Sequence, residues 1–421
     1  MAERVATRGI NGITSHPTPR AAGDPLPRLL RILDLLPPGA ELAVVRDGPR
    51  WLLGIYPDAV VAAHGAAAFQ ALDRLAGGWW AGFLSYDLGR SVEQIVSRVP
   101  DDLDVPDLML ARFDARVAVD PSGVHVEGDG ATRPLLEIAC RRARDGLGAP
   151  RARRLDLDLW SSSLSRGDFE ARASAIVQLI RAGECYQVNL TRRLTCERSA
   201  DPLALFAALA VGNPAPHAAL LRLGGTAVVS ASPERFLSRR EAQVETRPIK
   251  GTARDRAVLV RSAKDRAENV MIVDLARNDL GRVCAYGSVQ VPDLCAVECH
   301  PGLFHLVSTV RGRLRAGVGT GELLRATFPP ASITGAPKAR VLQAIEDLEP
   351  CRRGVYCGAV GWIDADRAAL DLNVAIRTFV IAGGRTHLGA GAGIVADSDP
   401  AAEWRETELK AAKLLALAGR K

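Results

Sequence analysis

The sequence predicts an α+β protein built around antiparallel β-sheet. Short apolar runs bounded by glycine and proline recur along the chain, and such runs are typical of strands. Runs of strands are followed by runs of helices instead of alternating with them one by one, which favours antiparallel pairing. The 421 residues correspond to two or three domains at about 150 residues each.

The strands are predicted from apolar runs of strand length. In the first third of the chain they cover 41–46, 51–56, 82–86 and 116–119. The aromatic stretch 77–87 around the third of these indicates a core strand. In the second half they cover 227–229, 236–237, 356–363, 368–374 and 378–381.

One helix and one strand in the middle of the chain are predicted from periodicity. Apolar residues at helical spacing indicate a helix over 168–182, and Gly183 suits its C-cap. The next segment, 185–194, alternates as a strand does. Its two faces carry Tyr186, Val188 and Leu190 on one side and Gln187, Asn189 and Thr191 on the other. Two further helices, over 256–279 and 400–418, carry acidic stripes.

Composition shifts divide the chain into three segments. Residues 1–25, rich in proline, threonine, glycine and arginine, are predicted to form a flexible N-terminal tail. Residues 26–150 form an N-terminal region, and 155–421 form the region with the denser motifs. The arginine-rich stretch 141–154 is predicted to be an exposed linker, with a nucleic-acid-binding arm as the less favoured alternative.

Charge and cysteine usage exclude several classes of protein. The net charge of +6, from 54 basic and 48 acidic residues, is a mild excess and gives no support for nucleic-acid binding. The eight cysteines form no C-x-x-C pair, so neither a zinc ribbon nor a redox motif is indicated. The first 28 residues lack an apolar signal segment, and no apolar run reaches membrane-spanning length. We therefore expect a cytoplasmic protein without a membrane partner.

The common nucleotide and hydrolase motifs are absent. GAGAG at 389–393 lacks the spacing of the dinucleotide fingerprint, and TGAPK at 334–338 is not a P-loop. Neither H-E-x-x-H nor G-x-S-x-G occurs. Ordinary dehydrogenases, P-loop enzymes, zinc proteases and α/β-hydrolases are therefore excluded.

The two acidic helices are candidate cation sites. Glu403, Glu406 and Lys410 share one helical face, as do Asp265 and Glu268 on the other helix. Carboxylates on an otherwise apolar face need a partner, and Mg²⁺ is a natural one. The alternative from spacing alone is a pair of solvated helix faces stabilised by ion pairs along the helix.

Two charged residues are candidates for acid and nucleophile chemistry. Glu234 follows a strand-like run, and Lys250 lies between Pro248 and Gly251 in a predicted turn that could aim its amine inward. A desolvated lysine can lose its proton and act as a nucleophile. A surface turn lysine is the alternative.

Two further segments are candidate anion sites. The glycines of 389–393 could present consecutive N–H groups as an anion nest, or could form a tight strand turn. Arg377 could hold a carboxylate in a bidentate fork, or could form a surface ion pair.

These segments together resemble the chorismate-utilising enzymes, which include anthranilate synthase component I, aminodeoxychorismate synthase component I, isochorismate synthase and salicylate synthase. The resemblance runs from residue 167 to residue 417. It rests on CYQVNLT at 185–191, ASPER at 231–235, TRPIKGT at 246–252, KDRAE at 264–268, HLVS at 305–308, TGAPK at 334–338, GAGAGI at 389–394 and EWRET at 403–407. Residues 79–89 also resemble the N-terminal region of the aminodeoxychorismate synthases.

The resemblance implies a fold and a site. The fold is a large antiparallel β-sandwich with helices packed outside. Strands of an N-terminal region of the anthranilate synthase component I type, 26–150, join it, and 155–421 is the chorismate-binding catalytic domain. The implied Mg²⁺ ligands are Glu268 and Glu406, with Glu403 acting through water. The implied general acid is Glu234. The implied substrate-binding residues are Gln187, Thr252, His305, Thr334, Tyr356, Arg377, Gly391, Ala392, Gly393 and Lys410.

Two positions distinguish the members of the family. Isochorismate and salicylate synthases carry a lysine that activates water at the position of Gln187, and anthranilate synthases typically carry alanine at the position of Lys250. A lysine there marks the aminodeoxychorismate synthases. The resemblance thus implies that chorismate and ammonia form 4-amino-4-deoxychorismate through a covalent Lys250 adduct. The alternatives are an anthranilate synthase component I and a non-catalytic, chorismate-binding regulatory subunit.

The implied reaction needs ammonia. No glutaminase segment with a nucleophilic cysteine is apparent in the sequence. The resemblance therefore implies a separate glutamine amidotransferase subunit as partner. It also implies that another enzyme converts the product to 4-aminobenzoate, for folate or for a secondary metabolite.

Overall fold

The computed structural model describes residues 4–5, 23–93, 95–146, 155, 157–300 and 303–419. The strands, in chain order, are β1 Arg4–Val5, β2 Leu42–Asp47, β3 Arg50–Ile55, β4 Ala59–Ala63, β5 Trp79–Leu84, β6 Leu108–Phe113, β7 Arg116–Val119, β8 Val124–Glu127, β9 Trp160–Ser162, β10 Gln187–Cys196, β11 His217–Leu223, β12 Thr226–Ser232, β13 Arg235–Arg240, β14 Gln243–Arg247, β15 Ile249–Ala253, β16 Gln290–His300, β17 Leu303–Arg313, β18 Gly335–Ala336, β19 Ala359–Asp364, β20 Ala369–Val374, β21 Thr378–Ala382 and β22 Arg385–Ile394. The helices are α1 Leu26–Asp34, α2 Ala66–Asp73, α3 Arg90–Glu93, α4 Arg133–Arg144, α5 Arg166–Arg181, α6 Pro202–Gly212, α7 Arg256–Arg261, α8 Ala263–Gly281, α9 Thr320–Thr327, α10 Lys338–Leu348 and α11 Pro400–Ala418. Short 3₁₀ turns cover Tyr86–Gly89 and Ala331–Ile333.

The strands form two antiparallel sheets. The order in the first is β1-β9-β10-β22-β21-β12-β11-β2-β3-β7-β8, and β18 also pairs with β10. The order in the second is β15-β17-β14-β13-β20-β19-β5-β6-β4, and β16 also pairs with β17. Strands from before and after residue 150 lie next to one another in both sheets, so the N-terminal strands are joined to the rest of the fold as predicted.

The two sheets pack face to face, with helices outside. In β2, Ala43 and Val45 point into a cluster shared with the second sheet, whereas Leu42 and Val44 point into a cluster shared with helices α1, α4, α6 and α11. This period of two is what a strand buried on both faces requires. A third cluster joins the outer face of the second sheet to α2, α8, α9 and α10. The predicted α+β sandwich with external helices is therefore confirmed.

Three local predictions need correction or fall outside the described residues. The helix predicted over 256–279 is two helices, because Ser262 leaves the helical conformation and its side chain caps the N-terminus of α8. In the predicted linker, residues 141–144 instead form the last turn of α4, and 147–154 lie outside the described residues. Of the predicted tail, only 4–5, which pair with β9, and 23–25 are described.

The two longest helices of the described chain carry the acidic stripes. α8 and α11 each have 19 residues. Among the described residues, no helix is both long enough and apolar enough to cross a membrane. α8 packs on β17 and β15 of the second sheet, and α11 packs on β22 of the first sheet.

A buried amide fixes α8 to the sheet. The Asn269 side chain is fully buried, and its Nδ2 donates to the carbonyl oxygen of Leu306 at 3.2 Å. The Ser308 hydroxyl donates to Asn269 Oδ1 and accepts from the Cys295 backbone N–H at 2.8 Å. Because each of these polar groups is satisfied by another, their burial costs little. The same network fixes the position of the preceding residue, Glu268, relative to strand β17.

We expect Asn269→Ala to lower the free energy of unfolding by about 1–3 kcal/mol, because the Leu306 carbonyl and the Ser308 hydroxyl lose their buried partner. Urea unfolding measures the change. Asn278→Ala is the matched control, since Asn278 lies exposed on the same helix. Its effect should stay within about 0.5 kcal/mol. Equal shifts for the two variants would contradict a stabilising role for the network.

Candidate active site

Glu234 lies in the two-residue link between β12 and β13, in the interior of the protein. Its backbone N–H donates to the Ser232 hydroxyl at 3.2 Å, and its carbonyl accepts from the Val374 N–H at 3.0 Å. The residue is 4% exposed, and its Oε1 accepts a long hydrogen bond from the Ile249 N–H at 3.4 Å. Burial raises the pKa of Glu234 to about 7, although the Lys250 ammonium opposes the shift. This carboxyl group can therefore carry a proton near neutrality.

Lys250 lies on a bulged strand, which differs from the predicted turn. It pairs with Leu306 in β15–β17, and the register shifts between Lys250 and Thr252, where Gly251 has a φ of +73°. The Lys250 side chain is 14% exposed, and its Nζ lies 4.0 Å from Glu268 Oε2. Burial lowers the pKa of Lys250, against the attraction of Glu268 and Glu234. The alternative of a surface turn lysine is wrong.

Gln187 and Lys250 meet over Gly393. Gln187 begins β10 and is 2% exposed, and neither amide atom of its side chain has a hydrogen-bond partner. A Cβ on Gly393 would clash with Gln187 Nε2 and lie 3.7 Å from Lys250 Nζ. A buried amide without partners is costly, so the arrangement leaves Gln187 ready for a group that the protein itself does not supply.

The glycines of 389–393 form neither a nest nor a tight turn. Gly391 and Gly393 pair with Thr191 and Asn189 of β10 in a regular antiparallel ladder, in which successive N–H groups point to opposite edges. On the other edge, β21 pairs with β22 only as far as Leu388. Lys410 Nζ donates to the Gly391 carbonyl at 2.9 Å, which shows that Gly391 faces the edge away from β10. The N–H groups of alternate residues are thus available there.

Tyr356 and Arg377 lie near the point where that edge becomes free. A Cβ on Gly389 would enter the Tyr356 ring, so the ring rests directly on the strand. Arg377 precedes β21 with a φ of +52°, and its carbonyl accepts from the Ala231 N–H at 3.0 Å. Burial lowers the pKa of its guanidinium. Among the described residues no carboxylate pairs with Arg377, so the surface ion pair is not formed.

Thr252, two residues after Lys250, pairs with His305 of the neighbouring strand β17 in the second sheet. Thr252 Oγ1 lies 2.9 Å from His305 Nδ1, and His305 is 3% exposed. Thr334 is also buried. Its hydroxyl donates to the Pro330 carbonyl at 3.1 Å, and its own carbonyl accepts from the Asn189 N–H at 2.9 Å. Thr334 thereby fixes the start of β10 next to Gln187.

The three acidic candidates lie within one electrostatic cluster. Lys264 Nζ is 3.9 Å from an oxygen of Glu268 and 3.9 Å from an oxygen of Glu403. Burial raises the pKa of both carboxylates, and the nearby Glu406 adds to both shifts. Lys410 pairs with Glu406 at 2.6 Å. Although partial desolvation opposes it, this pairing holds the pKa of the Glu406 carboxylate, which is 45% exposed, below its usual value. Glu268 and Glu403 therefore share one cation from opposite helices.

These carboxylates fit a magnesium ion in two respects. Their oxygen atoms are ligands that Mg²⁺ prefers, and their negative charges lie close enough together to repel one another. Within the described residues, no three His, Cys, Asp or Glu side chains gather at the spacing of a complete metal cage. Mg²⁺ does not require one, because it is commonly bound by one or two carboxylates together with water and a substrate anion. Glu268 and Glu403, drawn to the single ammonium of Lys264, are carboxylates that a cation stabilises.

Sequence reasoning missed two residues that hold this cluster in place. Asn269 directly follows Glu268. The sequence pattern that could have identified it is a polar amide on the same helix face as the apolar Ile272. Lys264 belongs to the KDRAE motif at 264–268, but its position between Glu268 and Glu403 depends on where the fold places α8 relative to α11. Spacing along one helix cannot show a contact between two.

Comparison with known proteins agrees with this geometry. The family described as chorismate binding enzyme matches residues 49–416. The chain belongs to this family. It is 41% identical to aminodeoxychorismate synthase component 1 of Klebsiella aerogenes, over 79% of this chain and 76% of the relative. It is 39% identical to anthranilate synthase component 1 of Thermus thermophilus, over the same shares of the two chains.

The solved structures show the same architecture. The crystal structure of anthranilate synthase component I from Streptococcus pneumoniae superposes with a TM-score of 0.76 at 28% identity, covering 95% of this chain and 100% of that one. As a member of the chorismate-binding family the protein is an enzyme that acts on chorismate. Chorismate is a dicarboxylate. Its charge suits Arg377, which pairs with no carboxylate of the described residues, and the backbone N–H groups at the open edge of β22.

We expect Gly393→Ala to weaken chorismate binding by about tenfold or more, a change of about 1.4 kcal/mol, because the added methyl displaces the Gln187 amide. Isothermal titration measures the dissociation constant. Gly281→Ala is the control, since a Cβ there meets nothing within 4 Å. Unchanged chorismate affinity in a folded Gly393→Ala variant would show that the site tolerates a side chain at position 393.

Proposed function

We propose that the protein is an aminodeoxychorismate synthase component I, which converts chorismate and ammonia to 4-amino-4-deoxychorismate in the presence of Mg²⁺. The observation that carries the proposal is the buried amine of Lys250, with the Gln187 amide beside it and the Glu234 carboxyl group close enough to influence its pKa. Among the relatives, proteins named for this activity and for anthranilate synthesis are similar to nearly the same degree. Sequence identity alone therefore does not separate the two activities.

Lys250 is the proposed nucleophile. Its nitrogen forms a bond to ring carbon 2, the two ring double bonds shift, and the bond between carbon 4 and its hydroxyl breaks. Glu234 gives its proton to the departing hydroxyl, which leaves as water. Burial suits both roles, since it lowers the pKa of the amine and raises that of the acid.

Ammonia completes the exchange. It forms a bond to carbon 4, the double bonds shift back, and the bond between Lys250 and carbon 2 breaks. The Glu234 carboxylate takes up a proton released from the new amine, which returns the site to its starting state. Gln187 cannot serve as a base, because a carboxamide has no useful basicity, so water is not activated at its position.

The remaining residues bind and orient the substrate. Arg377, Tyr356, Lys410 and the free edge of β22 are proposed to hold its carboxylates. Mg²⁺ would be held by Glu268, Glu403 and Glu406, and would supply a positive charge that orients a carboxylate. Placing the ring correctly can contribute several kcal/mol toward lowering the barrier.

We propose a separate glutamine amidotransferase as the source of ammonia. The relatives are named as component 1 of their synthases, which supports a second component. Purified protein with chorismate, a magnesium salt and ammonium tests the activity without that partner. The expected product has an amine in place of one hydroxyl and retains the enolpyruvyl group by mass spectrometry. Fluorescent anthranilate with released pyruvate would instead identify an anthranilate synthase, and bound but unchanged chorismate a regulatory subunit.

We expect Lys250→Ala and Lys250→Arg both to lose product formation by on the order of 10³-fold or more, while chorismate binding persists. Wild-type protein incubated with chorismate and Mg²⁺ but without ammonium should gain the mass of chorismate less water, and neither variant should. Arginine keeps the charge but is not a nucleophile. An active Lys250→Arg variant would therefore reduce the role of Lys250 to electrostatics.

We expect loss of the Glu234 acid form to slow adduct formation as the pH rises through about 7, while the growing fraction of neutral Lys250 amine acts in the opposite direction. The reason is that the pKa of Glu234 is raised to about 7, so its acid form is lost above that value. Glu234→Gln should remove this limb of the pH profile and slow the step by about 10²–10⁴-fold. Quenched-flow mass spectrometry without ammonium follows it. The exposed Glu197→Gln serves as control, and a falling limb that persists in Glu234→Gln would assign it to another group.

A further inference from the structure

Arg192 is a buried cation that no carboxylate of the described residues contacts, although the charge of Glu408 acts on it from a greater distance. Its side chain leaves β10 on the face opposite Gln187 and is 3% exposed. In the described part of the chain no carboxylate lies within ion-pair distance of it, and burial lowers the pKa of its guanidinium to about 10. An unpaired buried charge is destabilising. Its presence therefore requires a reason other than stability.

The Arg192 side chain contacts two residues of helix α11 and one residue of strand β9, which pairs with β10. Its Nε donates to the Thr407 hydroxyl at 3.0 Å, which in turn donates to the Trp404 carbonyl at 2.8 Å. Its Nη1 donates to the Ser162 hydroxyl of β9 at 3.2 Å. The guanidinium carbon lies 4.1 Å from the centre of the Trp404 ring, as expected for a cation–π contact.

Trp404 and Thr407 are interleaved with the candidate magnesium ligands. Each follows a glutamate directly, Glu403 and Glu406 respectively. A helix turns about 100° per residue, so a rotation of α11 that moves Trp404 moves both glutamates with it. The guanidinium holds two points one turn apart, which fixes the rotation of the helix as well as its distance from the sheet.

The other contacts near the start of α11 do not fix that rotation equally well. The Ser398 hydroxyl donates to Glu403 Oε1 at 2.7 Å, but Ser398 lies on the loop before the helix. The bond from Lys410 to the Gly391 carbonyl involves a side chain that is 47% exposed. Trp404 also contacts Phe169 edge to face, with ring centres 5.6 Å apart, and this apolar contact tolerates sliding.

We infer that Arg192 is a positioning residue, which clamps Trp404 and Thr407 so that α11 presents Glu403 and Glu406 to the divalent cation of the site. The inference rests on the proposed function, because it presupposes that these glutamates hold Mg²⁺. It explains why a costly cation lies in the core. Planar stacking together with a directed hydrogen bond is a task for arginine, which lysine does not perform.

The test separates positioning from stability. Arg192→Met fills a similar volume with apolar atoms, and such a replacement of a buried charge is commonly neutral or stabilising. We expect the melting temperature of the full-length variant to stay the same or rise, while Mn²⁺ binds at least tenfold more weakly. Mn²⁺ is the probe because it prefers the same oxygen ligands. The signal of free Mn²⁺ in electron paramagnetic resonance measures its binding without any turnover.

Two further variants sharpen the result. Arg192→Lys keeps the charge and should not restore Mn²⁺ affinity. Thr407→Val keeps the stack but removes the acceptor, and should weaken Mn²⁺ binding by a smaller factor even if Arg192→Met fails to fold. Arg181→Met, an exposed arginine at the end of α5, is the control and should bind as wild type does.

The possible outcomes are distinct. Wild-type affinity in folded Arg192→Met or in Thr407→Val would overturn the inference and leave the proposed function intact. Absence of Mn²⁺ binding to wild-type protein, measured with chorismate present and ammonium absent, would overturn the metal site and the inference together, while the product assay with ammonium would still report on the reaction. Loss of Mn²⁺ affinity without loss of stability supports the clamp.

Discussion

The site depends on strand β22, which carries glycine at the positions where the side chains of neighbouring residues pack against it. Glycine at alternate positions of β22 leaves one face bare, and Tyr356, Thr191 and the Gln187 amide fill the space that the missing Cβ atoms would take. Pairing with β10 sets the register, and a slip by one residue would turn alanines to this face. The other edge of β22 is open beyond Leu388 because β21 begins only at Thr378 and runs antiparallel to β22. A groove with free backbone donors follows from these two facts.

Burial then gives the groove its reactivity. Glu234 and Lys250 reach it from different strands, and each lies close enough to affect the pKa of the other. In water they would form a carboxylate and an ammonium. Loss of solvation favours the neutral forms of both, so burial raises the pKa of the Glu234 carboxyl group and lowers the pKa of the Lys250 amine. Their mutual attraction opposes this tendency, and burial is the larger effect for each group. The proposed reactivity thus depends on the burial of Glu234 and Lys250 as much as on their residue types.

Local patterns predicted the parts that are determined locally. The apolar run 41–46 and the alternation in 185–194 located β2 and β10 to within two residues. The spacing of Glu403 and Glu406 placed both on one helix. The glycine stretch 389–393 was misjudged, because a nest and a strand share a composition and only the partner strand distinguishes them. Arg192 gave no signal, since its hydrogen-bond partner Thr407 is 215 positions away. Contacts of that kind are decided by topology, which the resemblance supplied only in outline.

The lysines explain how a cluster of glutamates folds before any metal arrives. Lys250, Lys264 and Lys410 each have a nitrogen within 4.0 Å of a carboxylate oxygen in the cluster, so each glutamate of the cluster already has a basic partner. A divalent cation must therefore compete with ammonium groups that already satisfy the site. Such competition favours an ion that arrives with a substrate anion, because the added negative charge restores the balance. Under the proposed function, charge balance in the cluster would link Mg²⁺ binding to chorismate binding.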